Sequence, residues 1–147
     1  MIWIGIDCGA HTGLAVWDSE EQRFTRIETV KLHQALTFVL HTFFTQDKAG
    51  VAVVFEDARK RHYLPRERNL SEYRGKLMGA GSVKRDATIW EEFLTDYKIP
   101  FIAQAPASGA TKWKADYFAR VTGWTGKTSE HARDAALLVF QRKNEKI

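Results

Sequence analysis

The chain has a single cysteine, Cys8, among 147 residues. One thiol excludes an internal disulfide and a cysteine-based zinc site, and it fits a reducing cytosol. No apolar run approaches the ~20 residues that cross a bilayer, which sets aside a membrane-spanning class. The opening MIWIGID carries neither a basic leader nor a small-residue cleavage pattern, so a signal peptide is not expected. Repeats, linkers and low-complexity tracts are lacking too. One soluble domain over residues 1–147 is the expectation, long enough to bury a core.

What is present is ordinary in amount and uneven in placement. The chain is 44% hydrophobic and 27% charged, with a net charge of +4, and its pI near 9.3 leans toward a polyanionic partner. The stretch RKRHYLPRERNLSEYRGK, residues 59–76, has seven Lys or Arg against two Glu. Lys84, Arg85, Lys112, Lys114, Arg120 and Lys127 make a second basic group. The tail QRKNEKI is polar and is expected to fray.

Alternation of Ile2, Ile4 and Ile6 with Trp3, Gly5 and Asp7 predicts a first strand over residues 2–8. The turn CGAHTG then leads to a second strand, LAVWD, and FTRIETV forms a third; such short links imply an antiparallel meander. LHQALTFVLHTFFTQ has helical spacing. GVAVVFED is a continuous apolar run, as in a strand covered on both faces. After a loop broken by Pro65, residues 69–98 are largely helical, and Gly75, Gly79 and Gly81 either permit close packing there or split the helix. IPFIAQAP is a short strand. A helix starting near Ser108 or Thr111 stops at Gly123, and a last one over residues 128–143 is capped by Thr128 or Ser129. This order predicts an α/β domain with a mixed five-stranded sheet, an antiparallel meander plus two parallel strands, flanked by helices.

Carboxylates recur where the core should tolerate none. Asp7 ends the first strand, Glu56 ends VAVVFE, and His131 with Asp134 open the last helix. Ala132, Ala135, Ala136, Val139 and Phe140 form that helix's inward stripe, and its small residues allow a close approach. His131 and Asp134, spaced i, i+3, share another face. On that helix alone they could be a surface pair. Read together, the carboxylates are costly to bury unless paired or bound to a cation. Oxygen ligands with one imidazole suit Mg²⁺ or Mn²⁺. Two such ions can drive phosphodiester hydrolysis. Strand alternation points Asp57 away from this set, while Glu130 is a reserve ligand beside His131. His11 and Thr12 read as turn residues. Trp3, Trp17, Trp90 and Phe93 read as core, and Trp113 and Trp124 stay open between packing and stacking.

GIDCGAHTGLAV, the glutamate within VVFED, and EHARDAALLV together resemble the three signature regions of RuvC-type Holliday-junction resolvases, of the RNase H-like superfamily. GKLMGAGSV and TKWKADYFARVTGW match in kind. Cys8 stands where that family usually has proline, and His131 where many members have aspartate. The resemblance implies an RNase H-like fold and a homodimer, with residues 70–96 as a candidate interface. It implies resolution of four-way DNA junctions by paired cuts, with two Mg²⁺ or Mn²⁺ ions on Asp7, Glu56, His131 and Asp134, which are also the catalytic residues. It makes Lys112 and Lys114 candidate contacts to the scissile region. The basic loop adds Arg59, Lys60, Arg61 and Arg66 as DNA contacts, with Tyr63 as a base-stacking residue. A bacterial cell or phage-infected host is the expected setting.

Three other readings compete. The GID opening also occurs in actin- or sugar-kinase-like ATPases, but those need two such subdomains. A non-enzymatic DNA-binding domain on the same scaffold should have lost a member of the carboxylate set. Another RNase H-like nuclease, acting on flaps, forks or RNA–DNA hybrids, differs only in substrate, which fold alone does not decide.

Overall fold

A computed structural model of the chain describes residues 1–47, 50–61, 70–107 and 112–147. Among them run β1 (Ile2–Asp7), β2 (His11–Asp18), β3 (Arg23–Lys31), α1 (Leu32–Thr45), β4 (Val51–Glu56), α2 (Leu70–Asp96), β5 (Phe101–Gln104), α3 (Ala115–Thr122) and α4 (Glu130–Val139), with a 3₁₀ turn at Ala58–Lys60. The described strands form one sheet in the order β3-β2-β1-β4-β5. β1–β2 and β2–β3 pair antiparallel, and β1–β4 and β4–β5 pair parallel. The expected mixed α/β sheet is therefore present.

The period-2 alternation of the strands divides the core into two layers. On one face Ile4, Ile6, Leu14, Val53 and Phe55 meet Ala35, Val39 and Phe43 of α1 and Ala87, Trp90 and Leu94 of α2. On the other, Trp3, Ala15, Trp17, Ala52 and Val54 meet Phe118 of α3 and the alanines and Val139 of α4. Of the inward stripe read from the last helix, Ala132, Ala135, Ala136 and Val139 are buried, and Phe140, at the C-cap, packs partly buried against them. Trp113 and Trp124 pack partly buried against this second layer, so both serve packing. Among the described residues no helix is long and apolar enough to cross a membrane.

Several expected boundaries move. β2 begins at His11, so the turn is shorter than CGAHTG; Thr12 is buried and its hydroxyl donates to the Gly9 carbonyl at 2.8 Å. α2 is unbroken across its glycines. A Cβ built at Gly75, Gly79 or Gly81 would meet no atom within 4 Å, so these glycines neither split the helix nor seat it on this chain. α3 begins only at Ala115, and residues 108–111 lie outside the described ones. It stops at Gly123, whose φ of 74° is left-handed backbone that favours glycine. Ser129 is the cap of α4, accepting from the Ala132 N–H at 3.0 Å. α4 ends at Val139, short of residue 143.

The start of the tail is held rather than frayed. The indole N–H groups of Trp17 and Trp3 donate to the carbonyls of Arg142 (3.0 Å) and Lys143 (3.1 Å). The Arg142 guanidinium lies over the Trp3 ring. Two buried indoles needed acceptors, and the turning backbone supplies them.

Candidate active site

Asp7 and Glu56 reach the site by register. Ile6 pairs with Phe55 in the parallel β1–β4 ladder, so the next residue of each strand stands side by side at the carboxyl edge of the sheet. Alternation puts both on the face covered by α4. Ligands of open α/β sheets gather at such strand ends.

α4 comes close because two strand positions beneath it, Gly5 and Gly13, carry no side chain. A Cβ added at Gly13 would lie 2.0 Å from the His131 carbonyl oxygen, and one at Gly5 would lie 2.1 Å from that of Ala135. Only glycine permits this backbone approach. A glycine inside a strand is a known signal of such proximity, and Gly5 and Gly13 could have been read that way.

His131 Nδ1 stands 2.8 Å from Asp7 Oδ2. Asp7, Glu56, His131 and Asp134 all line one cleft of about 700 Å³. Burial raises the Asp7 carboxyl above its ordinary value; the His131 hydrogen bond opposes the shift and repulsion from Asp134 adds to it. Burial also raises Glu56, with repulsion from Asp7 adding and Arg61 opposing. Burial pushes the neighbouring Cys8 thiol up as well, so it stays protonated.

Three mutually repelling carboxylates and an imidazole suit a hard divalent cation, which would offset the cost of burying their charge. Asp7, Glu56, His131 and Asp134 would hold it. As they stand, no three His, Cys, Asp or Glu side chains among the described residues form a ready-made metal group. Asp134 instead directs Oδ2 at Lys112 Nζ, 3.1 Å away. Glu130, the reserve ligand, also pairs with Lys112, which holds its carboxyl below the ordinary value.

The expected DNA contacts separate into distinct environments. Arg61 and Lys112 line the cleft. Lys114 is exposed at the start of α3. Arg59 is engaged internally: Nε and Nη2 each bond an Asp57 oxygen at 2.8 Å, and Nη1 pairs with Glu91 at 2.6 Å. Asp57 is buried, so this guanidinium is its counter-charge and holds its carboxyl low. The Lys60 ammonium donates to the Ala103 carbonyl. Tyr63 and Arg66 lie outside the described residues. Lys76 and Lys84 of α2 also line the cleft, with Gly79 and Ala80 between them. These two lysines belong to the basic runs of the sequence, but only the position of α2 singles them out.

The floor of the cleft is therefore acidic and its wall basic. Arg61, Lys76, Lys84 and Lys112 can attract a polyanion that the three carboxylates alone would repel. Compared with known families, the chain matches no family model, and no curated protein matches it.

Proposed function

We propose that this chain is a divalent-metal-dependent, structure-selective endodeoxyribonuclease on an RNase H-like scaffold, akin to RuvC-type resolvases, with four-way DNA junctions as substrate. The observation that carries the reading is convergence. Residues 7, 56, 131 and 134 come from three separate parts of the chain and line one cleft with four cations.

Arg61, Lys76 and Lys84 bind the phosphate backbone along the wall, and the acidic floor receives the scissile group. Asp7 orients His131 through the 2.8 Å hydrogen bond, fixing which ring nitrogen faces the cleft. Asp7, Glu56, His131 and Asp134 would hold Mg²⁺ or Mn²⁺. Bound there, two such ions would supply an activated water and stabilise the departing oxygen of phosphodiester hydrolysis. The room beside Gly79 and Ala80 lets a sugar-phosphate strand lie against α2.

Resolution requires paired cuts, hence two copies. Leu70, Tyr73, Leu77 and Met78 are exposed on the first half of α2, at spacings that share one side of a helix. We assign the homodimer interface to this half.

The test is a cleavage panel of four-way junctions, flaps, forks, RNA–DNA hybrids and linear duplex, with Mg²⁺ or Mn²⁺. Junctions should be cut first, in symmetric pairs. Asp7→Asn, Glu56→Gln and Asp134→Asn should each lower cleavage by about a hundredfold or more while junction binding persists or tightens. Preferred cutting of flaps or hybrids would move the substrate within the same chemistry. Binding without cleavage by the parent would make the chain a DNA-binding domain.

A further inference from the structure

Lys112 Nζ lies 3.1 Å from Asp134 Oδ2 and pairs as well with Glu130, one helical turn earlier on α4. We propose that Lys112 is a tethered cation that occupies Asp134 until a divalent ion displaces it, and so sets the divalent concentration the cleft requires. This inference rests on the metal-dependent reading above.

The root of the lysine is fixed and its tip is open to water. Arg133 Nε donates to the Trp113 carbonyl at 2.9 Å, and Arg133 Nη1 to the Thr128 carbonyl at 2.7 Å. The backbone beside Lys112 is thereby fastened to α4. The Lys112 side chain is 61% exposed and that of Glu130 54% exposed, against 23% for Asp134. The ammonium can therefore leave the inner carboxylate and keep the outer one.

Stability does not explain this arrangement. An ion pair so open to water contributes little to folding. Its cost to an incoming cation is different in kind. A divalent ion needs the Asp134 oxygen that the ammonium holds, and meets one positive charge at its point of entry. After displacement, the lysine remains at the cleft mouth on Glu130, where a phosphate oxygen can take it up. Lys112 is thus a positioning residue: it governs when Asp134 becomes a ligand.

The experiment titrates Mn²⁺ into the metal-stripped full-length chain and follows free Mn²⁺ by electron paramagnetic resonance, without DNA. Lys112→Met should tighten Mn²⁺ binding roughly three- to tenfold, the range expected for removing one or two exposed ion pairs. Its melting temperature should match the parent. Lys112→Gln should do the same, and serves as the reading should the Met variant fold poorly. Lys112→Arg keeps the charge and should bind no more tightly than the parent. Lys84→Met removes a cation from the same cleft without touching Asp134, and should change binding less than about twofold. Adding Asp134→Asn to Lys112→Met should erase the gain.

Equal Mn²⁺ affinity in the parent, Lys112→Met and Lys112→Gln would overturn the inference and leave the metal-dependent reading intact. An equal gain from Lys84→Met would also overturn it, since a general field would then suffice. Failure of every form to bind Mn²⁺ would overturn the metal-dependent reading along with it.

Discussion

Burial holds the Asp7 and Glu56 carboxyls above their ordinary values of 3.8 and 4.5. In the folded chain each keeps its proton to higher pH than in the unfolded one. Their contribution to stability is therefore favourable at low pH and is lost as pH rises through the raised folded values. Asp57 runs the other way: its lowered carboxyl stabilises above 3.8 and loses that effect as pH falls through the depressed value. Urea melts without divalent ions should show this opposition. Asp7→Asn and Glu56→Gln should each remove part of the decline above the carboxylate range, so both should be relatively more stable than the parent at neutral pH. Mg²⁺ should then stabilise the parent more than either variant. His131→Asp restores an all-carboxylate set and should shift the metal preference toward Mg²⁺, measured as the ratio of cleavage rates in the two ions. Normal cleavage by His131→Ala in both ions would remove His131 from the ligand set.

At the scale of elements, two helices meet the sheet in opposite ways. α4 meets it backbone to backbone at Gly5 and Gly13, whereas Gly75, Gly79 and Gly81 in the first half of α2 have no atom within 4 Å of an added Cβ. Gly79→Ala therefore meets no steric obstacle and should stabilise the isolated chain by about 0.5–1 kcal/mol through helix propensity. The same methyl group narrows the cleft, so junction cleavage should fall while the melting temperature rises. Arg59→Ala should do the reverse of a surface change. It leaves the buried Asp57 carboxylate unpaired and should cost about 3–5 kcal/mol, seen as a lower urea midpoint. In the sequence β1 is legible from its strict alternation, β4 from its unbroken apolar run, and α4 from its alanine stripe at helical spacing. Asp7 and Glu56 stand out in it as carboxylates at the ends of apolar runs, and His131 and Asp134 as an i, i+3 polar pair opening the last helix. Arg59 was not legible: a guanidinium within a basic run looks solvated until the partner two residues back proves buried. Lys76 and Lys84 join the site through the course of α2, a long-range placement that local pattern does not encode.

For the molecule as a whole, charges of both signs line one cleft. The basic wall should dominate affinity. Neutralising Arg61 and Lys84 together should lower the log–log salt slope of junction binding by roughly 0.9 for each DNA phosphate left without its cation. The double variant should melt like the parent, in contrast to Arg59→Ala. Leu77→Lys with Met78→Glu should weaken self-association, measured by sedimentation, and uncouple the two cuts into single nicks. The close seating of α4 on Gly5 and Gly13 bears on all of this. At Gly5 and Gly13 no strand side chain lies between the sheet and the helix that carries His131 and Asp134, so there the gap does not depend on a strand rotamer. The placement of Asp7 beneath α4 is thus set by main-chain thickness, the least compressible gauge a protein has, and the other residues lining the cleft can vary without resetting it.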